Sequence, residues 1–116
     1  MTAPEPYTTH APDEPWSAAR YDAMLARVAA RLSPDWQPRA YHAHRTHDGT
    51  AYTFRLYRGR RPVAEVEDAG NGGGPAIYWT DRPASDDWHN EIAGILPADA
   101  LAGETAIEAI LRRAGR

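Results

Sequence analysis

The sequence of 116 residues contains no cysteine and no lysine. Without cysteine the chain has neither disulfides nor thiolate metal ligands, which fits a reducing compartment and predicts a cytoplasmic location. All 13 basic residues are arginine, which we interpret as a coding bias and not as chemistry. No segment approaches the ~18 consecutive apolar residues of a membrane helix, and no signal peptide is predicted. We therefore expect no membrane partner.

The composition is that of an ordinary folded domain. Apolar residues make up 42% of the chain and charged residues 25%, and a chain of this length forms one domain by the usual size relation. Residues 1–15 contain four prolines and no apolar periodicity, which predicts a flexible arm. We expect residues 16–116 to form a single α+β domain.

The charges are unevenly placed along the chain, although the net charge of −3 gives no general attraction for nucleic acid. Between residues 39 and 61, Asp48 is the only acid among several arginines. Between residues 65 and 91, Arg82 is the only arginine among several acids. We prefer the interpretation in which cross-strand pairs cancel these charges. The alternative is a sheet with a basic end followed by an acidic segment.

The central stretch, residues 52–81, predicts an antiparallel meander because runs of β-branched and aromatic residues alternate with glycine-bearing turns. Before it, residues 39–46 form a predicted strand, and Asp48-Gly49 is typical of a two-residue type I′ hairpin. That turn would pair Ala43 with Phe54 and Tyr41 with Leu56. The apolar residues of both strands then fall on one face.

The second hairpin is predicted to turn at the three residues 59–61. This loop pairs Leu56 with Ala64 and Arg55 with Glu65, so the apolar face continues and opposite charges meet on the other face. A glycine-rich connection, residues 68–74, then leads to a fourth strand at 76–80.

Three helices flank the predicted strands. An apolar stripe predicts a first helix over residues 16–32, and a second repeats the pattern over 104–114. Between them, Ser85 is the expected N-cap of a short helix that buries Trp88. The predicted fold is thus α+β, with an N-terminal helix, a four-stranded antiparallel meander and two C-terminal helices packed on one sheet face.

The open face of this sheet is the predicted functional surface. It combines charged and aromatic side chains of the kinds enriched in interfaces, and the first strand is expected to be an open edge. We therefore predict a small non-enzymatic binding protein, with no cofactor and no catalytic residue, that contacts a protein partner or a second copy of itself. The predicted contact residues are His42, His44, Arg55, Tyr57, Val63 and Glu65.

Two alternatives stay open. Arginines interleaved with an aromatic residue at a hairpin tip are suited to phosphate contacts and base stacking, which indicates nucleic-acid binding. His42 and His44, two residues apart on a strand, point to one face and indicate a metal or catalytic site, but Arg55 opposite His42 would oppose a dication. The residues of the nucleic-acid alternative are Arg55, Tyr57, Arg58, Arg60 and Arg61.

One pattern in the second hairpin resembles a known group of proteins. Its residues are Leu56-Tyr57, Gly59, Val66, Gly70 and Gly72-Gly73. The pattern is similar to one in small uncharacterised proteins of phages and mobile elements, where a strand ending in a glycine turn leads to a strand and a G-x-G-G loop. The usual N-D-G is replaced here by Asp68-Ala69-Gly70. The resemblance covers residues 56–73 and implies an accessory or host-interaction protein.

Overall fold

The computed structural model describes residues 18–96 and 102–116. The elements in chain order are α1 (Ala18–Arg31), β1 (Trp36–Thr46), β2 (Gly49–Arg58), β3 (Arg61–Asp68), β4 (Ala76–Trp79), α2 (Arg82–Ala93) and α3 (Ala102–Arg113). This order confirms the predicted α+β layout of one helix, four antiparallel strands and two helices. The predicted arm at residues 1–15 lies outside the described residues. Among those that are described, no helix has both the length and the apolar character needed to cross a membrane.

The described chain forms two compact units, which divide within α2. The first combines residues up to Leu32 with those from Glu91 onward, and the second spans Ser33–Asn90. The second unit contains the whole sheet and the beginning of α2. The expectation of one domain over residues 16–116 stays a prediction.

The first unit is built on the packing of α1 against α3. Arg113 donates to the carbonyl oxygens of Ala29 and Leu32, both at 2.8 Å, and thereby satisfies the last carbonyls of α1. The Tyr21 hydroxyl donates to the Glu108 carboxylate. Burial raises the pKa of Tyr21, and this hydrogen bond adds to the rise. The buried residues of the two helices include Met24, Leu25, Val28, Ala29, Ile107, Ile110 and Leu111, the apolar stripes seen in the sequence.

The sheet has the strand order β1-β2-β3-β4, so it is the predicted meander, with β1 and β4 at its edges. Apolar side chains of the inner strands alternate with polar ones and are buried on a single face, which we call the inner face; we call the other the outer face. The buried residues of the inner face include Phe54 and Leu56 on β2 and Ala64 and Val66 on β3.

The first hairpin turns one residue earlier than predicted. Thr46 pairs with Gly49 across a turn formed by His47 and Asp48, and Ala43 pairs with Tyr52 instead of Phe54. A type I′ turn requires positive φ at both central residues, and among the described non-glycine residues only Ala40 has one. The predicted turn type and register are therefore wrong.

A β-bulge keeps the apolar residues of β1 on the inner face. The register shifts between Arg39, which pairs with Arg55, and His42, which pairs with Thr53. Ala40 adopts a φ of 55° there, so two β1 residues oppose one β2 residue. Tyr41 nevertheless stacks on Tyr52 with ring centroids 5.8 Å apart, so its predicted face is correct.

The second hairpin combines a shorter turn with a second bulge. Arg58 pairs with Arg61, which leaves the two-residue turn 59–60 in place of the predicted three-residue loop. The register then shifts past Val63, so that Leu56 opposes Ala64 as predicted. The extra residue of the bulge shifts the register by one, as a third loop residue would have done. From Leu56 and Ala64 onward the predicted pairing of β2 with β3 is therefore confirmed.

An aromatic cluster in the sheet unit lies under the start of α2. Trp36 of β1 forms T-shaped contacts with Trp88 and Trp79, with ring centroids 5.1 Å and 6.4 Å apart, respectively. The N-cap is not Ser85 but Asp81, whose carboxylate accepts from the Ala84 amide at 2.9 Å. The helix begins four residues earlier than predicted because the Asp81 carboxylate satisfies one of its first free amides.

Candidate docking surface on the sheet

The outer face arranges its side chains in rows that cross all four strands. One row reads Arg39, Arg55, Glu65 and Tyr78 from β1 to β4, and the next reads His42, Thr53, Glu67 and Ala76. These rows exist because paired residues of neighbouring strands point to the same side of the sheet. All eight residues are exposed. Tyr78 is 57% exposed and is the one large hydrophobic residue of the described chain with that status.

The charges of this face are divided along the line between β2 and β3. Its arginines and histidines lie on β1 and β2, and its carboxylates lie on β3. Within the sheet the two signs are joined weakly, since the Arg55 Nε and Glu65 Oε1 atoms are 3.9 Å apart and both side chains are more than half exposed. Arg39 lies over the ring of Tyr57 at 5.0 Å, which holds the guanidinium along the surface.

Two shallow depressions mark the middle and one end of the outer face. The central one has a volume of about 450 Å³ and lies between Arg55, Glu67 and Tyr78. The second has a volume of about 320 Å³ and lies beside His44 and Asp68. Both are open concavities with mixed polar and apolar walls, which are suited to the side chains of a docked macromolecule.

The structure places most of the predicted contact residues where the sequence put them, but not Val63. His42, His44, Arg55 and Glu65 are exposed on the outer face, and Tyr57 is half-buried there. Val63 is 0% exposed because the bulge turns it out of the alternation, so its placement on the outer face is wrong. The prediction missed Arg39, Glu67 and Tyr78. Alternation within β3 and β4 would have identified Glu67 and Tyr78 once their neighbours were placed, whereas Arg39 lies beyond the β1 bulge, which the alternation does not reveal.

The two histidines share the outer face, as their spacing predicts, but in a different setting. His42 pairs with Thr53, whereas Arg55 pairs with Arg39, so the expected opposition of His42 and Arg55 is wrong. Within residues 18–96 and 102–116, no three His, Cys, Asp or Glu side chains are grouped so that they could hold a metal ion.

The arginine-rich hairpin does not present a single cationic surface. Arg58 forms an ion pair with Asp87 and lies 4.9 Å from the ring centroid of Trp36. Arg61 lies 3.2 Å from the Asp81 carboxylate. Together with the Arg55 contact to Glu65, these pairs balance much of the charge that phosphate binding would use.

The glycine-rich loop satisfies its own amides. The Asp68 carboxylate accepts from the Gly70 amide at 2.8 Å, and the Asn71 side chain accepts from the Gly73 amide at 3.0 Å. An anion cradle needs such amides to point at the ligand. These two instead form side-chain turns, the structural role expected for a loop between two strands.

Ser85 and His89 lie close together at the start of α2 without forming a nucleophile–base pair. The Nδ1 atom of His89 is 2.7 Å from the Ser85 carbonyl oxygen, which can only accept, so this nitrogen carries the proton. The Ser85 hydroxyl is 3.4 Å from the same nitrogen. A nitrogen that donates to a carbonyl does not accept the serine proton.

Comparison of the chain with known protein families, with curated proteins and with solved structures finds no match.

Proposed function

We propose that this chain is a small non-enzymatic binding protein whose outer sheet face docks a protein partner. The observation that carries the proposal is the exposed row of Arg39, Arg55, Glu65 and Tyr78, which brings an aromatic side chain and both signs of charge together on one surface. Tyrosine and arginine are enriched at interface hot spots. The partner is expected to present acids to the β1–β2 side and bases to the β3 side.

The setting of this function is part of the proposal. A cytoplasmic location rests on the absence of cysteine. An accessory role in a phage or mobile element rests on the glycine-linked hairpin pattern over residues 56–73. The proposal includes no cofactor and no catalytic residue, and the hydrogen bonding of Ser85 and His89 supports that view.

A pair of threonine substitutions on β2 tests the proposal. Thr53→Glu places an acid on the β1–β2 side of the outer face, where Thr53 is exposed and the partner is expected to present acids. Thr50→Glu is the matched control, because Thr50 is also exposed on β2 but belongs to the opposite side by alternation. Tagged wild-type, Thr53→Glu and Thr50→Glu proteins would be used to capture partners from host lysate, with and without nuclease treatment.

We expect a protein that is captured by wild type and by Thr50→Glu but lost with Thr53→Glu, in both lysates. Equal capture by the two variants would show that the outer face is not the docking surface. Capture that nuclease abolishes would favour the arginine-rich hairpin and nucleic-acid binding instead, with the steep salt dependence of phosphate contacts.

A further inference from the structure

The charge division of the outer face has a symmetry that single-sided docking does not require. The boundary between basic and acidic halves runs between β2 and β3, which is the midline of a four-stranded sheet. No acid lies on the β1–β2 half of the two rows, and no arginine or histidine lies on the β3–β4 half. A surface divided in this way along its own midline is complementary to itself.

We infer that the occupant of the outer face is a second copy of this chain, packed face to face about a two-fold axis that runs along the strands between β2 and β3. This inference rests on the proposed docking role of the outer face and names its partner. Closed two-fold dimers use the same patch on both subunits, so that patch must complement itself. A two-fold axis perpendicular to the strands would instead bring the basic half of one copy against the basic half of the other.

The facing residues follow from the order of the strands in each row. Rotation about the midline brings Arg55 of each copy opposite Glu65 of the other, because these residues flank the axis. It brings Arg39 opposite Tyr78, the outermost pair of the same row. The first contact joins opposite charges, and the second places a guanidinium near an aromatic ring.

The second row is compatible with the same arrangement. Thr53 comes opposite Glu67, where the hydroxyl donates to a carboxylate. His42 comes opposite Ala76, a small residue that leaves room for the imidazole. Two sheets packed in this manner keep their strands within about 30° of each other, so residues of one row stay near their counterparts.

The size of the face predicts a weak dimer. Four strands spaced about 4.8 Å apart, with about six residues of β1, β2 and β3 and the four residues of β4 in use, give a face of roughly 300–400 Å². This is about half of what each partner contributes to a standard stable interface. Association is therefore expected at micromolar to millimolar concentration, and it should weaken as salt is raised because the contacts are exposed and charged.

Charge exchange at the axis provides the test. Arg55→Glu sets two acids against each other at both symmetry-related contacts, and Glu65→Arg sets two bases. Each variant should associate at least about tenfold more weakly than wild type. Mixing the two variants restores opposite charges at both contacts, so the mixture should associate about as well as wild type. The double variant Arg55→Glu with Glu65→Arg should restore the homodimer.

The measurement is sedimentation equilibrium of the full chain from 10 µM to 1 mM (roughly the expected affinity range), at low and high salt. Arg60→Glu is the matched control, because it makes the same charge change at an exposed residue of the β2–β3 turn, outside the two rows. Circular dichroism verifies folding. Thr53→Glu, which leaves Arg55 and Glu65 in place and sets an acid opposite Glu67 of the second copy, is the second variant should a charge reversal unfold the chain.

Each result separates this inference from the docking proposal. Wild-type protein that stays monomeric at the highest concentration overturns the inference but leaves a different protein partner possible. A dimer that none of the face variants weakens overturns it as well, because the interface then lies elsewhere. Weakening by each single charge reversal, recovery in the mixture and no effect of Arg60→Glu support it.

Discussion

The two hairpin turns of the sheet are held in place by different physical means. The β1–β2 turn depends on a hydrogen bond and a close approach to the glycine-rich loop: the Thr46 hydroxyl donates to the Gly70 carbonyl oxygen at 2.8 Å, and Gly70 is buried beside Ala51. The β2–β3 turn depends on side chains and one main-chain bond. The Gly59 amide donates to the Asp35 carbonyl at 2.8 Å, and Arg58 lies over Trp36.

This difference shows which residues tolerate change at each turn. The first turn needs a residue without a side chain at Gly70, because a Cβ there would lie 2.8 Å from the Ala51 nitrogen. The second needs the bulk of the tryptophan cluster, since the ring of Trp36 is the surface on which Arg58 rests. We therefore expect removal of bulk to damage the second region most, and addition of bulk to damage the first.

Trp36→Ala is expected to have the largest effect. Trp36 is fully buried against Trp79 and Trp88, so its loss should lower the free energy of unfolding by about 3–5 kcal/mol. Urea denaturation measures the change. Tyr78→Ala, at an exposed aromatic residue of the same sheet, is the control and should cost less than about 0.5 kcal/mol. A similar loss in both variants would contradict the anchoring role of Trp36.

Gly70→Ala tests the first turn by adding bulk, whereas Trp36→Ala tests the second by removing it. The residue has a φ of 74°, and an added Cβ would also lie 2.9 Å from the Thr46 hydroxyl oxygen. Backbone strain and overpacking together should cost about 3 kcal/mol. Gly72→Ala is the matched control, because Gly72 has a φ of 84° with open space around it and should show only the strain, about 1 kcal/mol.

Thermal unfolding of the two glycine variants separates these contributions. The difference between them measures the close approach of residue 70 to the β1–β2 hairpin. Equal melting temperatures would mean that the hairpin shifts away at no cost and that the first turn is not held by this contact.

Asp81→Ala is expected to cost about 1 kcal/mol, because its carboxylate caps α2. Ser85→Ala should change stability by less than about 0.5 kcal/mol, since Ser85 lies inside the helix. Arg61→Ala, which removes only the exposed partner of Asp81 near the second turn, corrects for the ion pair. Guanidinium denaturation of the three variants identifies the cap, and a larger loss from Ser85→Ala would reverse the assignment.

Ala40→Gly is expected to have the smallest effect of the four substitutions, and to raise the free energy of unfolding. Ala40 has a φ of 55° in the β1 bulge, which costs an alanine about 1–2 kcal/mol and a glycine almost nothing. Allowing for the greater entropy of glycine in the unfolded chain, the net gain is about 0.5 kcal/mol. Ala43→Gly, an exposed position in the regular part of β1, should lose about 0.5–1 kcal/mol. Calorimetric melting of both variants checks the opposite signs, and a loss in both would exclude strain at Ala40.

The pairing of β2 with β3 was more predictable than the turns of the sheet. The alternation of apolar residues gave Leu56 opposite Ala64 correctly, because burial of one face sets register to within two residues. The alternation did not reveal the bulges at Ala40 and Val63. A bulge adds one residue to one strand but leaves the apolar side chains of the regular pairing on the same face. The first turn was consequently predicted one residue too late and the second one residue too long, while the faces were mostly correct.

The candidate surface was predictable in part for the same reason. His42, His44, Arg55 and Glu65 follow the strand alternation and are exposed. Val63 does not, because it is the extra residue of a bulge. The charge-divided rows were not predicted as such: Glu67 and Tyr78 join them only when β3 and β4 are placed beside β2.

The amino-acid sequence by itself determined the order of the elements, the apolar stripes of the helices and the burial of Phe54, Leu56, Ala64 and Val66 on the inner strands. These depend on local periodicity, which hydrophobic burial converts directly into structure. Only the tertiary structure decided the turn positions, the cap at Asp81 and the rows of the outer face. Those depend on which residues meet across strands, and a bulge of one residue changes that pairing without changing the pattern along the chain.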